Sequence, residues 1–310
     1  MALRVAGSFS GVGGIELGFQ QAGFEVVWAN ENDKYANQTY IANFGSDHLD
    51  TRSVWDVNPT EIPDFDVFVG GFPCQAFSGA GKGLGFEDPR GVLFRAVAHI
   101  LRLKQPPAFL LENVKGLLTH DGGRTFTIIQ AALQAAGYHL KYQVLNASEY
   151  GVPQKRQRIY IVGFLDPMMA MQFQFPKPTH EKTSVRDILE ANPPENLTLS
   201  DVSWAKCHTR TERKGGQAYS IVYPEDSATF TITNPRYLRN MIWQEGKNPR
   251  KISARECFNA QGFPKDFILP VSEAQLGKQA GNAVVVPVIK LIAQGIAAEL
   301  EAQETMKEVA

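Results

Sequence analysis

The chain has 310 residues, of which 44% are hydrophobic and 20% charged, a composition typical of a globular protein and not of a disordered one. Its three cysteines, at positions 74, 207 and 257, are too few and too widely spaced for a disulfide framework or a four-cysteine zinc site, and we expect no metal. No apolar run reaches the roughly 18 residues of a membrane helix. The best candidate, Val284–Ala293, contains a proline and a lysine. The start of the chain lacks the pattern of a signal peptide, so we expect a cytoplasmic protein without a membrane anchor.

The net charge of −1 gives no general attraction for nucleic acids. Between Trp204 and Lys251, however, nine lysines and arginines face only four acidic residues. This local excess suits a nucleic-acid partner and suits an ordinary solvated surface equally well.

The first half of the sequence alternates short β-rich runs with helical stretches. The predicted strands are Leu3–Phe9, Glu25–Glu31, Phe65–Phe72, Ala108–Val114, His139–Leu145 and Arg158–Phe164. The predicted helices between them are Gly14–Ala22, Asp33–Ala42, Gly91–Leu103 and Arg124–Ala136. This alternation predicts an α/β fold with a doubly wound, mostly parallel sheet.

The alternation of predicted strands and helices stops near Pro167, and this change predicts a second domain. From there to about Pro270 prolines interrupt the pattern, and only Thr229–Thr233 alternates like a strand. Helical periodicity returns in Val284–Ala302, with Pro287 in the first turn of the helix. We therefore predict a catalytic domain over 1–175, a smaller loop-rich domain over 176–270, and a C-terminal segment over 271–310 that returns to the first domain.

A glycine-rich turn follows the first predicted strand, in the sequence Ser8-Phe9-Ser10-Gly11-Val12-Gly13-Gly14. Glycines allow positive φ and close approach of a ligand. Glu31 ends the next strand, 20 residues after Gly11, where a carboxylate suits a ribose diol. The run lacks the third glycine of the dinucleotide pattern, which favours an adenosine ligand without a pyrophosphate.

Two further strand ends carry reactive groups. Cys74 follows Gly70-Gly71-Phe72-Pro73, in which Pro73 fixes the backbone before the thiol, and a glycine-rich loop comes after it. Glu112 follows an apolar run at the end of another strand, and a partly buried carboxyl there suits proton transfer. Because the carboxyl ends of parallel strands meet at one edge of a sheet, we expect these residues to lie close together.

The ordered set of motifs resembles the DNA cytosine-5 methyltransferases of bacterial restriction–modification systems. The motifs that carry this resemblance span almost the whole chain: Phe9-x-Gly11-x-Gly13-Gly14, Pro73-Cys74-Gln75, Glu112-Asn113-Val114, Gln154-Lys155-Arg156-Gln157-Arg158, Arg255-Glu256-Cys257 with Gly262-Phe263-Pro264, and Gly281-Asn282-Ala283-Val284.

The resemblance implies a class I, Rossmann-like methyltransferase with a target recognition domain. It implies that Cys74, held by Pro73, attacks C6 of cytosine, and that Glu112 holds or protonates N3. It further implies that Arg158 binds the base carbonyl and that Arg156 supports the site or a phosphate.

The cofactor implied by the resemblance is S-adenosylmethionine. Glu31 would bind its ribose and Asn32 would lie near its adenine. The other expected cofactor contacts are Phe9, Gly11, Val12, Gly13, Gly14, Ser53, Val54, Leu93, Asn282 and Val284. The family often has Asp at the place of Ser53 and Ser at the place of Ala283, so contacts at these two positions would differ.

The implied substrate is duplex DNA from which the target base is flipped. The loop at 76–94 and the basic domain at about 180–270 would grip the DNA, and Gln217 would pair with the orphaned guanine. The expected DNA contacts are Ser78, Lys82, Arg90, Gln217, Thr231, Arg236 and Arg239. We expect a monomer, with a cognate restriction endonuclease acting separately.

Three alternatives stay open at this point. An RNA cytosine-5 methyltransferase would use the same chemistry, but the Cys-Phe-Thr tripeptide of its tRNA-methylating relatives is absent. A DNA-binding regulator without activity would not need the intact Cys74, Glu112 and Arg158. A nicotinamide-dependent dehydrogenase explains the glycine turn but not the cysteine.

Overall fold

The computed structural model describes residues 2–72, 89–205, 221–230, 232 and 240–309. Its described strands are β1 Arg4–Ser8, β2 Glu25–Asn30, β3 Leu49–Asp50, β4 Val67–Gly70, β5 Ala108–Val114, β6 His139–Asn146, β7 Gln154–Lys155, β8 Gln157–Phe164, β9 Ile221–Tyr223, β10 Thr229–Phe230, β11 Asn240–Ile242 and β12 Arg250–Lys251. Its described α-helices are α1 Gly14–Gln21, α2 Lys34–Phe44, α3 Pro89–Lys104, α4 Arg124–Ala135, α5 Pro167–Gln172, α6 Ala254–Asn259, α7 Glu273–Asn282 and α8 Val286–Val309.

Seven strands form one sheet in the order β3-β2-β1-β4-β5-β8-β6. The strands from β3 to β5 pair in parallel, and β8 pairs antiparallel with β5. The predicted doubly wound, mostly parallel sheet is therefore confirmed. Strands buried on both faces read as continuous apolar runs, and this is why β4, β5 and β8 were visible in the sequence.

Close packing inside the sheet depends on small residues at particular crossings. Gly163 in β8 lies opposite Phe109 in β5, and a Cβ at position 163 would overlap the Phe109 ring. Gly18 in α1 packs against Ile289 of α8, so the C-terminal helix lies directly against α1. Pro287 lies in the first turn of α8, as predicted.

The chain divides into two compact units. The first contains Met1–Leu145, Gln157–Lys177 and Val288–Ala310, and the second contains Asn146–Arg156 and Pro178–Pro287. This division differs from the predicted boundaries at 146–156 and at 271–287, both of which lie in the second unit. The reason is hydrogen bonding: Gln154 donates to the carbonyl of Ala260 at 3.0 Å, and the Val286 N–H donates to the carbonyl of Gln261 at 2.9 Å.

Short strands and long connections make up the second unit. Strands β12, β11 and β9 form one small sheet, and β10 pairs in parallel with β7.

Glu256 is a buried acid of the second unit. It makes a two-pronged ion pair with Arg250, at 2.7 and 2.8 Å, and completes the capping box of α6 with Ser253. The Arg255-Glu256-Cys257 motif is thus a packing element of this unit.

The stretch Glu273–Thr305 is apolar and long enough, by length and composition alone, to cross a membrane. More than half of its apolar window is buried inside the fold, and Ile289, Ile292 and Ile296 are fully buried. A core helix passes the same test, and the packing of α8 on α1 fits that assignment.

Candidate active site

The glycine turn connects β1 to α1 through several residues with positive φ. Phe9, Gly11 and Gly13 all have positive φ, of 58, 58 and 86°. At Gly13 a Cβ would also overlap the Phe44 ring, so only glycine fits. At Gly11 the position of a Cβ faces open space, which leaves the backbone accessible to a ligand.

Glu31 ties the glycine turn to the end of β2. Its Oε2 accepts from the Gly11 N–H at 2.9 Å, and its Oε1 accepts from the Asp33 N–H at 2.8 Å. An ionised carboxylate has about four acceptor positions, so each oxygen retains capacity for a hydroxyl. The half-buried carboxylate next to the open face of Gly11 therefore fits a ribose diol.

The segment after β3 is held next to the end of β2. Asn30 donates to the carbonyls of Asp50 and Arg52, at 3.0 and 2.9 Å, and so holds this segment beside β2. Ser53 caps the short 3₁₀ turn Val54–Asp56. Val54 is buried in the core cluster, so its side chain is a packing group.

The other predicted cofactor contacts differ in exposure. Asn32 is exposed, whereas Val12 and Gly14 are buried and Leu93 is partly buried against the core cluster. In the second unit, Asn282 is exposed at the end of α7 and Val284 is buried.

Glu112 and Arg158 come together on neighbouring strands of the main sheet. Val114 lies opposite Arg158 in the β5–β8 ladder, and Arg158 Nε lies 3.1 Å from Glu112 Oε1. Their side chains are only 11% and 13% exposed, respectively, so the charges face each other in a largely desolvated position. Glu112 Oε2 is 3.7 Å from the position of a Cβ on Gly71, three residues before Cys74.

Asn113 holds the backbone that leads to the predicted nucleophile. Its side-chain amide donates to the carbonyl of Phe72 at 3.1 Å, and its oxygen accepts from the Val114 N–H at 2.8 Å. Phe72 directly precedes Pro73 and Cys74 in the sequence. Asn113 is part of the Glu112-Asn113-Val114 motif, and a buried amide near the end of an apolar strand is the sequence signal for this contact.

Arg156 is a buried arginine that donates to main-chain carbonyls. It is 2% exposed, and it donates to the carbonyls of Ile232 at 2.9 Å, Gly281 at 3.2 Å and Ala283 at 2.7 Å. The guanidinium therefore lies among main-chain carbonyls of the second unit, to which Arg156 itself belongs. That Arg156 supports the site or a phosphate stays a prediction.

Glu16 is a buried acid that the sequence reasoning missed. It is 1% exposed in α1, and its Oε1 fills the place that a Cβ on Gly7 would occupy. Burial, partly offset by a hydrogen bond from Ser10 and aided by the negative charge of Glu31, raises the pKa of Glu16 from 4.5 to about 7. An acid on the sheet-facing side of a helix, opposite a glycine in a strand, was the signal in the sequence.

Several predicted site residues lie outside the described residues and stay predictions. They are Pro73, Cys74, Ser78, Lys82, Gln217, Thr231, Arg236 and Arg239, together with the side chain of Arg90.

The mostly parallel seven-stranded sheet, with a glycine turn after β1 and Glu31 just after β2, has the class I methyltransferase fold. Residues 3–298 match the family described as C-5 cytosine-specific DNA methylase, and the chain belongs to that family. It therefore requires a methyl donor.

Similar proteins are found among bacterial enzymes and among solved structures. The chain is 46% identical to the Type II methyltransferase M.NlaX of Neisseria lactamica, over 98% of this chain and 99% of that one. It is 44% identical to M.SsoII of Shigella sonnei, over 96% of this chain and 81% of that one. Its fold is similar to that of the Entamoeba histolytica methyltransferase EhMeth, with a TM-score of 0.81, 17% identity, and coverage of 97% of this chain and 99% of that one.

Proposed function

We propose that this protein is a sequence-specific DNA (cytosine-5-)-methyltransferase that methylates C5 of a cytosine flipped out of duplex DNA. The observation that carries the proposal is the Glu112–Arg158 pair at the sheet edge, beside the Gly71–Phe72 backbone that leads into Pro73 and Cys74. A carboxyl and a guanidinium in contact suit the N3 and O2 edge of cytosine.

The chemistry requires a covalent step because C5 of an aromatic cytosine is a weak nucleophile. The thiolate of Cys74 adds to C6, and the electron pair moves to C5. Glu112 supports the proton at N3 and Arg158 binds O2, so the added electron density is stabilised. After C5 is methylated, its proton leaves to water, the C5–C6 double bond forms again and the thiolate departs.

S-adenosylmethionine is the methyl donor that we propose, and it supplies an electrophilic methyl group on a sulfonium. The open face of Gly11 and the remaining acceptor capacity of Glu31 support a ribose and adenosine site. Asn282 and Val284, assigned by resemblance, stay predictions.

The biological role that we propose is protection of DNA in a restriction–modification system. The similarity to M.NlaX and M.SsoII, both Type II methyltransferases, supports it. We further propose that the protein works as a monomer in the cytoplasm at the nucleoid, that a separate cognate endonuclease exists, and that residues between 176 and 270 recognise the target.

Sequencing of bisulfite-treated DNA from cells expressing the chain tests the activity and identifies the target sequence. We expect 5-methylcytosine at one short sequence with wild-type protein and none with Cys74→Ser, because a serine hydroxyl is not ionised near neutral pH. A duplex with 5-fluorocytosine at the target should form a denaturant-resistant adduct with wild-type protein, since fluorine cannot leave as a proton does.

Cys257→Ala is the matched control. Burial raises the pKa of the Cys257 thiol, so it stays protonated and this variant should keep both methylation and the adduct. Methylation by Cys74→Ser, or no adduct with wild-type protein and cofactor, would refute the mechanism. Methylation of transfer RNA but not of duplex DNA in parallel assays would favour the RNA alternative.

A further inference from the structure

Glu16 lies buried behind the glycine turn that carries Gly11, and the proposed chemistry gives this acid no role. It is 1% exposed, and its Oε1 fills the place that a Cβ on Gly7 would occupy. Its Oε2 has no hydrogen-bond partner within the described part of the chain. Gly7 is four residues before Gly11, at which the position of a Cβ faces open space. The acid is therefore on the inner side of a turn whose backbone is accessible from outside.

Short contacts connect Glu16 to Glu31 across this turn. The Ser10 hydroxyl forms a hydrogen bond with Glu16 that favours the ionised carboxylate. The Gly11 N–H, next along the chain, donates to Glu31 Oε2 at 2.9 Å. The negative charge of Glu31 in turn raises the pKa of Glu16, so the two carboxyl groups interact through the turn. A charge on a ligand held by Gly11 and Glu31 is thus within electrostatic reach of Glu16.

The other groups that pack around Glu16 stay uncharged near neutral pH. Glu16 is the single titratable residue of α1, and β1 and β4 meet it with Gly7 and Val69. Tyr40 of α2 interacts with it electrostatically, and the Tyr40 hydroxyl is 2.9 Å from His48 Nε2. Burial raises the pKa of Tyr40 and lowers the pKa of His48, so both are neutral at pH 7 and in the unit above it. Glu16, with a pKa of about 7, therefore changes its charge where these two neighbours do not.

We propose that the charge of Glu16 selects the methyl donor over the demethylated product, and that binding of the donor releases a proton from Glu16 to solvent. The inference rests on the proposed function, because it takes Gly11 and Glu31 as the cofactor site. S-adenosylmethionine carries a positive sulfonium, whereas S-adenosylhomocysteine carries a neutral thioether on the same adenosine. A carboxylate buried in a low-dielectric interior favours the cation, and this attraction is present once Glu16 has lost its proton. After the methyl group has left, Glu16 takes a proton back from solvent and the product is bound less tightly than the donor.

Titration calorimetry from pH 5.5 to pH 8.5 measures the affinity for S-adenosylmethionine divided by the affinity for S-adenosylhomocysteine. For the wild-type protein we expect this ratio to rise with pH by roughly 5- to 15-fold more than for Glu16→Gln. That is the effect of two unit charges about 10–15 Å apart at an effective dielectric constant of about 20. Glutamine keeps the shape of the protonated acid and carries no charge at any pH. The amino groups of the ligands titrate alike with both proteins, so their contribution cancels in this comparison.

The released proton is counted in the same experiment, by using buffers of different ionisation enthalpy at pH 7. Binding of S-adenosylmethionine to the wild-type protein should release roughly 0.3–0.5 proton more than binding to Glu16→Gln. With S-adenosylhomocysteine the two proteins should release the same number of protons, because the neutral thioether does not favour the ionised carboxylate.

Two further variants separate the charge of Glu16 from its packing. Glu25→Gln, at an exposed position of β2, is the matched control and should follow the wild type. Ser10→Ala removes the hydrogen bond that favours the ionised carboxylate, so the rise of the ratio should move to higher pH, which a role in packing alone does not predict. If Glu16→Gln does not fold, Ser10→Ala decides alone, and a rise at the wild-type pH overturns the inference.

A ratio that rises equally in wild type and Glu16→Gln also overturns the inference and leaves the proposed function intact. A wild-type protein that binds neither ligand overturns the proposed cofactor site, and the inference with it. Binding of both ligands without methylation of DNA overturns the proposed function alone, because the ratio still tests the role of Glu16.

Discussion

Replacing Glu16 with glutamine tests the electrostatics of the buried face of α1. Glu16 is 1% exposed, and its Oε2 has no hydrogen-bond partner within the described part of the chain. Burial raises the pKa of Glu16 in the folded protein from 4.5 to about 7. The unfolded chain therefore releases this proton about 2.5 pH units before the folded protein does.

The sign of the effect follows from the protons bound in each state. Between about pH 4.5 and pH 7 the folded state holds a proton that the unfolded state has lost, so the free energy of unfolding falls as the pH rises. At about 1.4 kcal/mol per pH unit, the loss is about 3 kcal/mol above pH 7. Glutamine mimics the protonated acid, so Glu16→Gln should be more stable than wild type at pH 8 and similar to it at pH 5.

Thermal unfolding at pH 5, 6, 7 and 8 measures this difference. With an unfolding entropy of about 2 cal/mol/K per residue, 3 kcal/mol corresponds to a shift in melting temperature of about 5 °C for the whole chain. Glu25→Gln, at an exposed position of β2, is the control and should follow the wild type at every pH. Parallel curves for Glu16→Gln and wild type between pH 5 and pH 8 would refute the reasoning.

Three further predictions concern the site and its support. Glu31→Ala should weaken S-adenosylmethionine binding by roughly 1.5–3 kcal/mol in titration calorimetry, because charge-assisted bonds to the ribose are lost. Asn113→Ala leaves the Phe72 carbonyl without its side-chain donor, and it should slow methyl transfer about 10-fold in single-turnover kinetics while cofactor affinity stays unchanged. Glu256→Ala leaves the Arg250 guanidinium buried without its carboxylate, and it should reduce the free energy of unfolding in urea by about 3–5 kcal/mol.

The main sheet was predictable because buried strands have continuous runs of apolar residues. Strand β5 was predicted with its observed bounds, since six of its seven residues are buried and apolar residues lead up to Glu112. Strand β3, with two residues, and the short strands of the second unit leave too few residues for a period to be recognised. Their pairing is decided by partners far along the chain, as in the parallel pairing of Thr229 with Gln154.

In the candidate site, too, the positions of strand-end residues were predictable and their side-chain contacts were not. The sequence placed Glu31 and Glu112 at strand ends because strand direction alone brings them to one edge of the sheet. It did not reveal that Asn113 reaches back to Phe72, 41 residues earlier, or that Glu16 fills the space beside Gly7. Those contacts depend on rotamers and on packing distances, which no periodicity encodes.

Arg156 and Arg158 show most clearly that sequence alone does not predict side-chain partners, because they are chemically identical and two residues apart. Arg158 lies in β8 opposite Val114 of β5, and its guanidinium forms an ion pair with Glu112 on that neighbouring strand. Arg156 lies in the short connection between β7 and β8, with its guanidinium among main-chain carbonyls left free by the end of α7 and by residue 232. The contacts of each arginine are thus set by the acceptors within its reach: the Glu112 carboxylate pairs with Arg158, and main-chain carbonyls on either side of Asn282 accept hydrogen bonds from Arg156.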